Sequence, residues 1–128
     1  MPESSPTESL IDDSTLEDLR SMQRPGRPSL LSKVIERYLE SSPPLIAAIH
    51  AALEADSPES LRQAAHSLKA SSAALGAVQM SRLCGELEML ARANTTEGGK
   101  EFAAPLAELF DATSALLVTI KQAAHVSR

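Results

Sequence analysis

His66-Ser67-Leu68-Lys69-Ala70-Ser71-Ser72-Ala73-Ala74-Leu75-Gly76-Ala77 is the stretch from which the rest of the chain can be read. On a helix, Leu61, Ala65, Leu68, Ser72 and Leu75 form one small or apolar stripe, at spacings of four, three, four and three. His66 stands about 100° from Ala65, at the edge of that stripe and outside it. Lys69, Ala70 and Ala73 lie one and two turns further along the histidine's own face. The pattern predicts an imidazole with a cation beside it and only methyl groups around it, low enough for a partner protein to reach. Gly76 sits where the helix should end.

The same periodicity recurs on either side. Asp56-Ser57-Pro58-Glu59 marks the start of the histidine's helix, with Ser57 as N-cap and Pro58 at the first position. A following helix is predicted from Val78 to Ala93, burying Met80, Leu83, Cys84, Leu87, Leu90 and Ala91. Asn94 to Gly99 reads as a loop. A last helix is predicted over Lys100 to Ala124, with Phe102, Leu106, Leu109, Phe110, Thr113, Leu116, Leu117 and Ile120 inward; Pro105 falls near its first turn and is not expected to break it.

Upstream, Ser14-Thr15-Leu16-Glu17 has the form of a capping box opening a short helix through about Met22, with Leu16, Leu19 and Met22 buried. Gln23 to Arg27, with Pro25-Gly26, is a turn. Pro28 suits the first position of a second helix carrying Leu30, Leu31, Val34, Ile35, Tyr38 and Leu39 on one face. Pro43-Pro44 interrupts that pattern before it resumes at Leu45, Ile46, Ala48, Ile49, Ala52 and Leu53, which predicts one kinked helix or two nearly collinear ones. His50 falls toward solvent and His125 is terminal. The expected fold is all-α: an antiparallel four-helix bundle with an additional short N-terminal helix, spanning residues 14–125. Residues 1–13, polar and broken by proline, read as a disordered lead-in, and 126–128 as a tail.

Composition limits the function. The 128 residues suit one domain, and the apolar share of 43% comes largely from Ala and Leu, which favours helices. Among five glycines there is no phosphate-cradling glycine motif, so an independent nucleotide-using enzyme is not expected. The single Cys84 allows no internal disulfide and reads as a core residue. One Cys and three scattered His make no metal-ligand cluster. With no apolar run of about 18 residues and no signal peptide, the reading is soluble and cytoplasmic, with no membrane partner. A net charge of −5 argues against nucleic acid. Yet residues 61–92 hold four bases (Arg62, Lys69, Arg82, Arg92) against two acids, so the histidine's surroundings suit an anion or an acidic face.

A histidine beside an apolar stripe is most often structural, so its context must carry any other reading. Lys69 at i+3 can hold an anion attached to the ring. Ser67, Ser71 and Ser72 share the histidine's helix and offer no nucleophile–base–acid triad, and no Asp precedes the ring at an obvious spacing. Without a metal, oxyanion hole or leaving group, such a histidine could accept and donate a phosphoryl group only if a partner supplied the rest.

His66-Ser67-Leu68-Lys69-Ala70-Ser71-Ser72 with Leu75-Gly76-Ala77, then Leu83-Cys84-Gly85-Glu86-Leu87-Glu88, resembles the histidine-containing phosphotransfer (HPt) family of multistep two-component phosphorelays. The family pattern, His-x-Leu-Lys-Gly-Ser-Ser/Ala-x-x-Leu-Gly, covers two helices here, and helix count extends the likeness from Ser14 onward. The resemblance implies that His66 is the phosphoacceptor and that Lys69 neutralises the phosphoryl charge. It implies that Gly76 permits the tight turn and that Arg92 is a base near the site, while Arg62, Ala70 and Ala73 shape the docking surface. Two departures stand out. Ala70 replaces the usual Gly, adding a methyl where a receiver docks. Glu88 stands where some members have Gln; a carboxylate there could accept from Nδ1–H and leave Nε2 free, or repel a phosphate.

The implied partners are response-regulator receiver domains, including that of a hybrid sensor histidine kinase. Mg²⁺ is expected on the receiver, and this chain, a monomer, has no cofactor of its own. A non-catalytic helical adaptor with an incidental histidine is the alternative. A dimerising histidine-kinase core is disfavoured, because the helices of one chain suffice to close a bundle and no ATP-binding segment follows.

Overall fold

The computed structural model describes residues 9–126, and side chains as far as residue 123. Six helices follow one another: α1 (Asp13–Ser21), α2 (Leu30–Glu54), α3 (Pro58–Ala74), α4 (Val78–Arg92), α5 (Gly99–Ala103) and α6 (Leu106–Val126). No strand occurs among the described residues. The long helices α2, α3, α4 and α6 form the bundle, and α1 closes one end of it against α2.

The α3 stripe behaves as its spacing predicts. Leu61, Ala65, Leu68, Ser72 and Leu75 are all fully buried, while His66, Ala70 and Ala73 are exposed. Pro58 opens the helix, and Ser57 Oγ accepts from the Ser60 amide at 3.3 Å. From α2 the core receives Leu31, Ile35, Tyr38, Ile49, Ala52 and Leu53, and from α4 Met80, Cys84, Leu87 and Ala91. Burial pushes the Cys84 thiol up to about 12, which keeps it protonated and unreactive. One hydrogen bond ties α2 to α3 in the interior: Tyr38 and Ser72 hydroxyls are 2.7 Å apart. The Tyr38 ring also meets Phe110 of α6, with centroids 6.0 Å apart.

Several expectations need correction. Helix α1 begins at Asp13 after Asp12, and the Ser14 capping box does not form; instead Ser14 and Thr15 hydroxyls both donate to Asp12 Oδ2. Residues 9–13, read as lead-in, are packed: Ile11 is 4% exposed, the Asp12 amide donates to Gly76 O, and the Val78 amide donates to Leu10 O. The expected disorder of residues 1–8, and the end of the tail at 127–128, lie outside the described residues. Met22 is 58% exposed. Helix α2 starts after Ser29, whose Oγ accepts from the Ser32 amide, so Pro28 precedes the helix and does not open it.

Pro43 and Pro44 are accommodated within one continuous helix, which decides between the two readings of that stretch. Both prolines are exposed, so water can serve the carbonyls of Leu39 and Glu40 that lose their donors. Pro105, by contrast, does interrupt the last helix. It has no N–H to continue the α5 ladder, the Ala104 amide turns to Glu101 O at 3.4 Å, and α6 starts afresh at Leu106. Phe102 and Leu116, expected inward, are 44% and 38% exposed.

The stretch Gly99–Ala123 is also long and apolar enough, by length and composition alone, to cross a bilayer, which the sequence reading did not anticipate. Its buried side is nonetheless in use: Ala103, Leu106, Thr113 and Leu117 are buried, and Leu109, Phe110 and Ile120 pack against the core.

Candidate functional site

The site begins with the α3–α4 hairpin. Helix α3 stops at Ala74 because Gly76 adopts φ +80°, a left-handed conformation that side chains with a Cβ resist. The Ala77 amide then bonds back to Ser72 O at 2.8 Å, and α4 returns antiparallel alongside α3. The turn is also crowded. A Cβ at residue 76 would meet Thr15 Cβ at 2.8 Å and Asp12 O at 3.1 Å, so glycine is required by both backbone and space. This tight return brings α4 residues opposite α3 residues about twenty positions earlier.

Opposite His66 the hairpin places Glu88. Its side chain is 2% exposed, yet three nitrogens converge on it. His66 Nδ1 lies 2.8 Å from Oε2, Lys69 Nζ 2.7 Å from Oε1, and Arg92 Nη2 3.0 Å from Oε2. Burial pushes the carboxyl up, but the Lys69 ammonium above all, with His66 and Arg92, outweighs it and holds Glu88 down at about 2. Glu88 is therefore a carboxylate at neutral pH and can only accept hydrogen bonds. It follows that His66 Nδ1 is the donor. The neutral ring is then the Nδ1–H tautomer, and the lone pair is on Nε2.

The ring is 55% exposed, flanked by Ala70 and Ala73, both at the surface. The arrangement is a nucleophilic nitrogen aimed outward and oriented from below by a buried anion. The lysine's ammonium donates to that anion with one of its three hydrogens, and two remain for another acceptor. Gly85 has a part the sequence reading did not assign: a Cβ there would touch Lys69 Cδ at 3.5 Å, so the lysine stem runs over this residue to reach Glu88. Arg62 is not drawn in. It pairs with Glu59 on its own helix, Nη2 to Oε2 at 2.8 Å and Nε to Oε1 at 3.3 Å. Arg82 is exposed on α4. Among the described residues no group of three or more His, Cys, Asp or Glu is placed to hold a metal ion.

The all-helical bundle, with His66 exposed on α3, is of the histidine phosphotransfer class. The Hpt domain family model matches residues 33–125, and the chain belongs to that family. Among solved structures the chain is similar to histidine-containing phosphotransfer protein B (HptB) from Pseudomonas aeruginosa PAO1. The two share 26% sequence identity with a TM-score of 0.79, over 93% of this chain and 97% of that one. No curated protein matches this chain.

Proposed function

We propose that this chain is a phosphocarrier of a two-component phosphorelay: His66 Nε2 accepts a phosphoryl group from the aspartyl phosphate of one receiver domain and passes it to the aspartate of another. What carries the reading is the pair formed by the outward-facing His66 and the buried Glu88. In the forward step the Nε2 lone pair attacks phosphorus, the bond from phosphorus to the receiver's carboxylate oxygen breaks, and that carboxylate leaves. No proton need move, since Nδ1 already holds the only ring proton.

The phosphorylated ring, still protonated on Nδ1, is formally cationic, and the Glu88 carboxylate lies against it. Lys69 can bridge, one N–H on Glu88 and another on a phosphoryl oxygen. Such a site works by positioning and charge neutralisation, which is what phosphoryl transfer requires. The return step breaks the N–P bond in favour of the second aspartate.

Mg²⁺ and the acidic residues that hold it belong, in this reading, to the receiver. The chain acts as a monomeric cytoplasmic intermediate, with the receiver of a hybrid sensor histidine kinase among its partners, and has no cofactor and no independent enzymatic turnover. Incubation with a phosphorylated receiver, followed by intact-mass measurement, tests this. The expected product is one added phosphate, acid-labile, alkali-stable and absent from folded His66→Gln. No label from a panel of competent receivers would favour a non-catalytic adaptor instead.

A further inference from the structure

The corner between α1 and α2 carries the chain's strongest concentration of positive charge away from His66. Residues 20–37 contain five bases (Arg20, Arg24, Arg27, Lys33, Arg37) and a single acid, Glu36, in a chain of net charge −5. Of the acids beside them, Glu17 pairs with Arg20 of the same corner at 2.9 Å, Glu36 reaches across to Lys121 at 3.2 Å, and Asp18 lies exposed on α1. Arg24, Arg27 and Lys33 are exposed and make no ion pair among the described residues.

These three cations share one concavity. An open surface depression of about 250 Å³ is lined by Met22, Gln23, Arg24, Arg27, Pro28, Leu30 and Lys33. Its wall is built, because the loop is wound around the Gln23 amide. Gln23 Nε2 donates to the carbonyls of Arg24, Arg27 and Pro28 at 3.1, 2.9 and 3.0 Å, and its Oε1 accepts from the Leu30 amide at 2.6 Å. That single side chain engages three loop carbonyls. The 25-residue helix α2 begins at the same place, with its Leu30 and Ser32 amides already bonded to Gln23 and Ser29. Met22, Pro28 and Leu30 supply an apolar side.

We propose that this corner binds a small, multiply charged, phosphate-bearing anion. Three like charges around one small space repel one another, and a polyanion relieves that repulsion while satisfying two planar guanidinium groups and an ammonium. The depression is open to solvent, so a ligand there would be held by charge and not by enclosure. The site is separate from the histidine. Tyr38 pairs with Ser72 between antiparallel helices, so His66 lies level with about residue 44 of α2, and Lys33 is some eleven residues, or about 16 Å, further along the axis. The site does not depend on phosphotransfer at His66.

The test is a titration of the ¹⁵N-labelled full chain with sodium pyrophosphate, then with adenosine diphosphate, followed by amide shifts at low salt. Saturable shifts are expected across residues 22–33, with apparent affinity reduced about fivefold to tenfold in each of Arg24→Gln, Arg27→Gln and Lys33→Gln. Melting temperatures should be unchanged, since these side chains are exposed. Tighter binding of adenosine diphosphate would show that the apolar side contributes. Shifts confined to residues 66–69, shifts that persist in the Arg27→Gln/Lys33→Gln double variant, or no shift at millimolar probe would each overturn the assignment. So would binding of an acidic peptide with none of pyrophosphate.

Discussion

Glu88 Oε2 accepts from His66 Nδ1 at 2.8 Å, across the α3–α4 interface and from a side chain that is almost wholly buried. The consequence is a ring held by one nitrogen so that the other faces outward. Glu88→Ala removes that hold and leaves the ring free to rotate and change tautomer. A hydrogen bond to a charged group is worth about 1.5–3 kcal/mol, which corresponds to a transfer rate about tenfold to a hundredfold lower. Single-turnover transfer from a phosphorylated receiver measures it. Glu88→Gln keeps an oxygen that can accept from Nδ1 and should lose less. An undiminished rate in folded Glu88→Ala would remove orientation from the mechanism.

Lys69 is 38% exposed, with its ammonium 2.7 Å from Glu88 Oε1. Removing it should therefore affect the bound phosphoryl group far more than the fold. Lys69→Ala is expected to slow transfer by about tenfold or more, as for loss of one donor to a developing charge in a partly solvated site. The melting temperature should shift by only a few degrees. Phosphohistidine decay, followed by intact mass, should accelerate in the same variant. Equal decay in both proteins would confine Lys69 to holding Glu88.

The depressed Glu88 carboxyl also makes a statement about acid stability. Its folded value of about 2 lies below the ordinary 4.5, so the folded state favours the ionised form. Stability from this group is fully present above about pH 4.5 and is lost as pH falls toward 2. Denaturant midpoints measured through that window should fall more steeply for the natural chain than for Glu88→Gln. Asp12 and Glu59 are also lowered, by hydroxyl bonds and by Arg62 respectively, but their contributions are common to both proteins and cancel in the difference.

At Gly76, conformation and crowding act together, and a second glycine separates them. Gly26 has a similar φ, +76°, with nothing within 4 Å of an added Cβ. Gly26→Ala should cost about 1 kcal/mol from the left-handed backbone alone. Gly76→Val adds a contact against Thr15 Cβ and Asp12 O, for a total of about 3 kcal/mol or more. By thermal melting the difference should be several degrees per kcal/mol. Equal losses at the two positions would mean that the N-terminal segment moves aside freely.

The legible part of this chain was its period. The α3 stripe, the four long helices and the exposed His66 all follow from apolar spacing, and Ser57-Pro58 marks a helix start by local chemistry alone. Local signals failed where another part of the chain competed. The Ser14 hydroxyl looks like a helix cap, but Asp12 takes it together with the Thr15 hydroxyl, and Asp12 is itself fixed by its amide bond to Gly76, sixty-four residues away. At the site, the motif sets Lys69 one turn from His66, and the anion that both meet comes from the next helix. Periodicity alone reads Glu88 as one more surface acid, and it was the family resemblance that offered it as an acceptor for Nδ1, with repulsion of a phosphate as the other reading. Only the tight return at Gly76 turns it inward to meet three nitrogens. Proline was read unevenly for a similar reason: Pro43-Pro44 sits on the exposed side of a long helix packed at both ends, whereas Pro105 follows a single turn with little to hold it in register.

The bond between Tyr38 and Ser72 gives the platform beneath the histidine its own test. The two hydroxyls are 2.7 Å apart, Tyr38 is 3% exposed, Ser72 is fully buried, and the tyrosine ring also meets Phe110. The bond therefore joins α2 to α3 nearly two turns beyond His66 and continues through the ring to α6. Tyr38→Phe leaves the Ser72 hydroxyl without its partner in the interior, at a cost of about 1–3 kcal/mol, whereas after Ser72→Ala the Tyr38 hydroxyl can turn to the buried Ser42 hydroxyl and the loss should be smaller. The double variant leaves neither group stranded, so its loss should be clearly smaller than the sum of the two, a coupling that denaturant midpoints will show. Phosphotransfer should survive in all three, because neither residue touches the ring. Strict additivity would mean that water, Ser42 or the backbone replaces the missing partner, and that the three helices are held in register by apolar packing alone.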